Sequence, residues 1–290
     1  MASHPRFFVT GASGQLGRLV VAALAERAGP QAVAAVVRDP ARSAALFAKG
    51  VVIREGDYDR PDTLDAAFVG AERLLLISSN ALGERVAQHR NVVDAAKRAG
   101  VARIAYTSVL HAEISKLGLA EEHRQTEALI GASGIPFTLL RNGWYTENYA
   151  AAIPAALQHG AFIGSAQGGR ISSAARVDYA EAAAIALLDD DAAGGAIHEF
   201  AGDQSFTLAE FAAELSRQAG REIPYADLPE AKYRAALTGA GLPAPLAALL
   251  ADSDAAAAED ALFDDSRQLS RLIGRPTTPF AATIAKALIA

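Results

Sequence analysis

The sequence predicts an α/β fold, a doubly wound parallel sheet followed by a small, mainly helical C-terminal lobe. Three observations predict it. Short, apolar, β-prone runs alternate with segments of helical spacing through about the first 145 residues, the pattern of successive βαβ units. A glycine-rich turn joins the first of these strands to the first helix. After Gly143 the alternation stops and an alanine-rich, helical pattern takes over.

The opening unit reads FFVTGASGQLGRLVVAAL, from Phe7 to Leu24. Phe7-Phe8-Val9 is a short β-prone strand, and Leu16, Val20, Val21 and Leu24 recur at helical spacing. Val33 to Val37 is the second strand and Val51-Val52-Ile53 the third. RLLLISS from Arg73 is the fourth, its unbroken apolar run suited to a strand buried on both faces. RIAYTS from Arg103 and FTLLRNG from Phe137 are the fifth and sixth. RPDTLDAAF, GERVAQHRNVVDAAKRAG and GLAEEHRQTEALIGASG read as intervening helices, the last two closing on glycine. Beyond Gly143, YTENYAAAIPAALQHGAFIG predicts one or two helices and a short strand. RVDYAEAAAIALL predicts a helix with Asp178 as N-cap and Glu181 three residues on, and FTLAEFAAELSRQAG opens on a capping box of Thr207 and Glu210. AIHEFAG is a strand expected to rejoin the parallel sheet. The expected division is a dinucleotide-binding domain over 1–150 and a substrate lobe over 151–290, with 177–202 returning to the sheet.

Composition narrows the function classes. A chain of 290 residues, 51% hydrophobic and carrying a net charge of −6, has the size of an enzyme and the wrong charge balance for life on nucleic acid. It has no cysteine, which removes disulfides, thiolate catalysis and cysteine-ligated zinc together. His4, His159 and His198 show no ligand spacing, so no metal is expected. MASHPRFFVTG enters a strand at once, with no signal peptide, and no apolar run is long enough to span a membrane. A cytoplasmic protein is expected.

The turn after the first strand carries Gly11, Gly14 and Gly17, a G-x-x-G-x-x-G form of the dinucleotide fingerprint. The first glycine makes the tight turn, the second lets backbone approach a pyrophosphate, and the third lets helix and strand pack closely. The helix start then offers unpaired N–H groups and a partial positive charge to phosphate. An acidic residue at the end of the second strand would take the ribose hydroxyls of NAD. Here VVRDP places Arg38 at that strand end and Asp39 just beyond. A guanidinium there pairs with a 2′-phosphate, which favours NADPH, with NADH as the weaker alternative. GDYD after the third strand offers Asp57 and Tyr58 either as an adenine-pocket lining or as a surface turn.

IAYTSVLH sets Thr107 and Ser108 at the carboxyl end of a central strand, where open α/β sheets bind ligands. Ser108 and His111 are candidates to face a bound ring, or a capped strand end. Ser108 lacks a G-x-S-x-G elbow, which excludes a serine hydrolase. His89 falls on a polar helix face and reads as solvated.

VTGASGQLG, VVRDP, LLLISS, QHRNVVDAAKRAGV, IAYTS, AEEHRQTE, SGIPFTLLRNGWYTENY and ALFDD together resemble the NmrA-like branch of the atypical short-chain dehydrogenases, and within it the bacterial NADPH-dependent quinone oxidoreductases. The resemblance runs over nearly the whole chain. It implies a Rossmann-type domain, a small C-terminal lobe, and a quinone reduced in a cleft between them. Gly11, Ala12, Ser13, Gly14, Gln15, Leu16 and Gly17 would form the cofactor turn, with Ser13 to Leu16 on the pyrophosphate and Arg38 on the 2′-phosphate. Ser78, Ser79 and Asn80 would flank the cofactor, Asn80 replacing a serine of the relatives. The loop Asn142-Gly143-Trp144-Tyr145-Thr146-Glu147 would close over the nicotinamide side. Trp144, Tyr145 and Tyr149 would wall a flat quinone unless they serve core packing, with Phe162 expected on the far side.

The family's usual Tyr-x-x-x-Lys pair is missing from LGLAEEHRQTEALI, where His123 resembles the lysine position of relatives and Glu127 lies one turn on. His123, Glu127 and Ser108 are therefore the candidate catalytic set, with a His–Glu pair either relaying a proton or merely positioning the site. A quinone needs less help than a ketone, because hydride transfer makes an aromatic phenolate that water can protonate. An NADP(H)-binding redox sensor that does not turn over is the alternative, and a dye or azo reductase would use the same residues. The expected partner is a small-molecule quinone, with a homodimer as the oligomeric expectation.

Overall fold

The computed structural model describes residues 4–190 and 194–289. In chain order its regular elements begin with β1 (Phe7–Val9), α1 (Gln15–Ala28), β2 (Val33–Val37), α2 (Pro40–Ser43), β3 (Val52–Glu55), α3 (Pro61–Ala67), β4 (Arg73–Leu76), α4 (Arg85–Arg98), β5 (Arg103–Val109), α5 (Ala120–Ala132) and β6 (Phe137–Asn142). There follow α6 (Thr146–Ala150), α7 (Ile153–His159), β7 (Phe162–Gly164), α8 (Arg176–Leu188), β8 (Ala196–Phe200), α9 (Leu208–Ala219) and β9 (Tyr225–Asp227). The chain closes with α10 (Glu230–Gly239), α11 (Ala244–Ala257), α12 (Gln268–Ile273) and α13 (Phe280–Leu288).

The chain divides into two compact units. The first comprises Met1–Ala112, Glu121–Asn142 and Arg176–Glu199. Its sheet runs in the order β3-β2-β1-β4-β5-β6-β8. Every residue of β1 and β2 is buried, as strands covered by helices on both faces require. β1 pairs in parallel with β2 on one side and β4 on the other, so the winding reverses between β1 and β4. Ligands of such sheets bind outside the carboxyl ends of the strands at that reversal. Phe8, Val36, Leu74, Leu76, Ile104 and Tyr106 from the strands pack with Leu64, Phe68, Val92 and Ile130 into one core. α8 contributes to this unit by lying along α1, where Arg27 and Glu181 form a 2.6 Å ion pair. β8 joins the edge beside β6, and the Gly195 N–H donates to the Phe137 carbonyl at 2.8 Å. The expectation for 177–202 also covers residues 191–193, which lie outside the described set. One boundary differs from expectation. α8 starts at Arg176, so Asp178 is inside the first turn rather than the N-cap, buried and favoured there by the helix dipole.

The second unit comprises Glu113–Ala120, Gly143–Ala175 and Phe200–Ala290. Its β7 and β9 form a two-stranded parallel sheet. α9 carries the complete capping box, with Thr207 accepting from the Glu210 N–H and Glu210 accepting from the Thr207 N–H. Phe206, Phe211 and Phe280 stack at ring separations of 4.5 to 6.0 Å and form the aromatic centre of this unit. Among the described residues, no helix is long and apolar enough to cross a membrane.

Asp254 of α11 is an unusual occupant of that core. It is 3% exposed, accepts from the Ser165 N–H at 3.0 Å and the Tyr149 hydroxyl at 3.4 Å, and faces Asp227, Tyr225 and Tyr233. Burial pushes its carboxyl up to about 7. The folded protein therefore holds a proton that the unfolded chain releases between its ordinary value of 3.8 and about 7, and stability is lost as pH rises through that window. Melting temperature is expected to fall between about pH 4 and pH 7, and Asp254→Asn to flatten that fall and be the more stable protein at the upper end. A wild-type curve as flat as that of the variant contradicts the assignment.

Candidate functional site

The carboxyl ends of β1, β4, β5 and β6 bring Thr10–Gly17, Ile77–Asn80, Ser108–His111 and Asn142 to one edge of the first unit's sheet. The glycine turn is built for a close approach. Gly11 takes a left-handed φ of +60°, and a Cβ on Gly17 would sit 2.7 Å from the Ala12 Cα. Glycine is thus required at Gly17 for α1 to start against β1. Gly14 is the N-cap of the 14-residue α1 and supplies no side-chain cap, so the first N–H groups of that helix stay open to an anion. Gly17→Ala is expected to cost about tenfold or more in dinucleotide affinity and to lower the melting temperature, because backbone must shift to admit the methyl group. An alanine variant that binds as wild type would show that no close approach is needed there.

Arg38 follows β2 and is exposed, and among the described residues its guanidinium has no hydrogen-bond or ion-pair partner. Asp39, the acidic alternative at this position, is engaged elsewhere. Its carboxylate accepts the Arg42 N–H at 3.0 Å and caps α2. Tyr58 does not face outward. Its hydroxyl donates to Thr10 Oγ1 (2.6 Å) or the Ile77 carbonyl (2.9 Å), pinning the loop after β3 to the ends of β1 and β4. Burial raises that phenol's pKa, so the hydroxyl remains a donor. These residues fit a 2′-phosphorylated dinucleotide: an uncapped helix start beside a glycine cradle, and, just past the end of β2, an unpaired guanidinium able to pair with a phosphate.

Ser78, Ser79 and Asn80 follow β4. The Ser78 N–H donates to Thr107 Oγ1 at 2.9 Å, Asn80 is exposed, and Ser79 is tied down by side chains of α4. Its N–H donates to His89 Nε2 at 3.0 Å, its hydroxyl to Gln88 Oε1, and its carbonyl accepts from Arg85 Nε at 2.8 Å. His89 is therefore not the solvated residue its helix pattern suggests. It is 0% exposed.

The expected His123–Glu127 pair does not form. His123 is 5% exposed, and its Nδ1 lies 2.7 Å from the Tyr106 hydroxyl in the core. Burial and the charge of Arg85 hold its imidazole well below the ordinary pKa, so it is neutral. Glu127 turns instead to Arg141, which meets it through two bonds of 2.9 and 2.7 Å and meets Glu199 through a third of 2.9 Å. Glu127 also accepts the Ser108 hydroxyl proton, and Glu199 accepts the His111 N–H at 2.8 Å. His111 holds a φ of +53°, an uncommon conformation for a side-chain-bearing residue. This Glu–Arg–Glu network joins the ends of β5, β6 and β8 to α5. Sequence reading missed Arg141 and Glu199; the signal was a charged residue inside the otherwise apolar FTLLRNG strand. Asn142 ends β6, 6% exposed, and its buried Oδ1 has no hydrogen-bond partner among the described residues.

Gly143, Trp144, Tyr145, Thr146 and Glu147 lie in the second unit. Backbone there pairs with Ala174, through the Ala174 N–H to the Trp144 carbonyl (3.1 Å) and the Thr146 N–H to the Ala174 carbonyl (3.0 Å). Thr146 is buried against Ser173 Oγ at 2.8 Å, whereas Trp144, Tyr145 and Glu147 are partly exposed. Tyr149 and Phe162 are not open walls. They are 6% and 2% exposed, and both pack on Phe211 in the core of the second unit. Their apolar area is already removed from water, which is the dominant gain available to such rings.

Comparison with known proteins agrees with this geometry. A family model described as NAD(P)H-binding matches residues 11–190. The chain is 51% identical over 276 residues to quinone oxidoreductase 2 of Escherichia coli, covering 95% of this chain and 96% of that protein. The crystal structure of an E. coli NADPH-dependent quinone oxidoreductase complexed with NADPH superposes with a TM-score of 0.93 at 50% identity, over 97% of this chain and 99% of that one. A Citrobacter triphenylmethane reductase complexed with NADP(H) gives a TM-score of 0.91 at 34% identity, over 97% and 99%. An NmrA-like family domain-containing oxidoreductase of Aspergillus flavus is 34% identical over half of this chain. The chain therefore belongs to the NAD(P)H-binding family.

Proposed function

We propose that this protein is an NADPH-dependent quinone oxidoreductase. The observation that carries the cofactor is the exposed, unpaired Arg38 beside an uncapped helix start and a glycine cradle. The 51% identity to quinone oxidoreductase 2 over 95% of the chain supports the acceptor. Bound NADPH supplies a hydride, two electrons in one step.

The chain's own residues then have limited work. Gly11 to Gly17 and the first N–H groups of α1 hold the pyrophosphate, and Arg38 reads the 2′-phosphate. Ser78 to Asn80 and Asn142 flank the cofactor, with the unpartnered Asn142 Oδ1 available as an acceptor. Neither Ser108 nor His123 is poised to donate a proton. The Ser108 hydroxyl is committed to Glu127, and His123 is neutral and bonded to Tyr106. That suits a quinone, whose reduced phenolate takes its proton from water, and does not suit a ketone. Under anaerobic conditions, each NADPH consumed is expected to yield one hydroquinone. A semiquinone signal in electron paramagnetic resonance during turnover, above that given by the same mixture of quinone and hydroquinone without protein, would overturn the two-electron reading.

A further inference from the structure

The N–H, carbonyl and hydroxyl of Ser79 are each taken by a side chain of α4. Arg85, Gln88 and His89 stand at i, i+3 and i+4, hence on one face, and they are 6%, 8% and 0% exposed. Burying three polar side chains at the start of a helix costs free energy unless each is bonded. Here the bonds serve loops. Gln88 Nε2 donates to the Asp59 carboxylate at 2.9 and 3.1 Å while its Oε1 accepts from Ser79. One turn on, Asn91 Nδ2 donates to the Tyr58 carbonyl at 2.8 Å. α4 thereby fixes both loops that border the glycine turn, the one after β3 and the one after β4.

His89 is central, and its tautomer follows from its partners. Nε2 accepts from the Ser79 N–H, so the ring proton is on Nδ1 and points to Thr126 Oγ1 at 2.9 Å. Thr126 donates its own proton to the Glu122 carbonyl at 2.8 Å. Every polar atom of the imidazole is used, and none faces a ligand. Arg85, ion-paired to Glu122 at 3.3 Å, and the uncharged Tyr58, Tyr106 and His123 are the titratable groups around it. Burial and Arg85 push its pKa down to about 3, so the ring stays neutral over the working range.

We propose that His89, with Arg85 and Gln88, is a positioning residue for cofactor binding, setting the Ser78–Asn80 segment in the conformation the cofactor meets. The inference rests on the NADPH reading above. A loop already ordered in its bound form has less conformational freedom to lose on binding.

The test compares His89→Leu with His89→Gln, whose Oε1 reaches the place of Nε2. NADPH dissociation constants come from nicotinamide fluorescence, and KM values for NADPH and for para-benzoquinone from initial rates. His89→Leu is expected to raise both NADPH constants about tenfold while the quinone KM moves less than about twofold, the size of a lost buried hydrogen bond. His89→Gln is expected to restore most of the loss, and the ratio of variant to wild type to stay level between about pH 6 and 9. A folded His89→Leu protein with wild-type NADPH constants overturns the proposal, as do two variants that lose melting temperature together with no change in either constant. If His89→Leu does not fold, Gln88→Met carries the same comparison, since it removes the acceptor of the Ser79 hydroxyl. A wild-type protein that binds no NADPH overturns the cofactor reading itself, an outcome distinct from unchanged binding in the variant.

Discussion

Arg38→Ala is expected to weaken NADPH binding about 10- to 100-fold and to leave NADH binding within about twofold, the effect of removing one charge-assisted contact to a phosphate. The expectation follows from where the strand stops. β2 ends at Val37, and the next residue is an exposed guanidinium with no partner among the described residues, so no neighbouring carboxylate competes with a bound anion. Asp39, which would favour NADH through the ribose hydroxyls, commits its carboxylate to the N-cap of α2. Removing Arg38 breaks no described contact of the fold, so the melting temperature should not move. Parallel KM titrations with the two cofactors check the result. Equal losses for NADPH and NADH would show that Arg38 acts on something both cofactors share.

Arg141→Met is expected to destabilise the protein by about 3 kcal/mol, the lower end for breaking a buried ion pair, since it removes the buried cation between two half-buried carboxylates. Arg141 has 3% side-chain exposure and meets Glu127 and Glu199, at 11% and 18%. Such a triad contributes little net stability when complete, because desolvation offsets attraction, yet breaking it strands the remaining charges. Urea unfolding measures the loss. Adding Glu127→Gln and Glu199→Gln to Arg141→Met should return part of it, and no recovery would mean that Arg141 acts through packing of its stem instead. Activity should fall as well, because the same network carries Ser108 and the His111 backbone at the sheet edge.

Much of the fold was legible in the sequence for definite reasons. The glycine spacing of the first turn, the VVRDP strand end and the returning AIHEFAG strand are local signals, set by sterics and periodicity within a few residues. Thr207 and Glu210 were readable for the same reason, since a capping box is complete within four positions. The polar network was not. His123 and Glu127 share a helix and the spacing of a pair, yet each bonds a residue brought in by the sheet, Tyr106 in one case and Arg141 in the other. Helical spacing says which side chains could meet; burial decides which do. His89 shows the same limit in reverse. Its helix reads as polar at Arg85, Gln88 and His89, and polarity suggests solvent, but the loops after β3 and β4 cover that face and use it. Tyr149 and Phe162 were candidate walls because aromatics near a glycine loop suit a flat ligand. The Phe206, Phe211 and Phe280 cluster that claims them comes from residues far along the chain.

Hydride transfer from NADPH to a quinone is read most directly in the nicotinamide absorbance. The measurement follows NADPH, and separately NADH, with purified protein before and after adding para-benzoquinone or a naphthoquinone. An enzyme-dependent loss of absorbance is expected on quinone addition, corrected for the uncatalysed rate and faster with NADPH than with NADH. Tight NADPH binding with no turnover on any quinone would contradict it and identify a redox sensor in place of an enzyme.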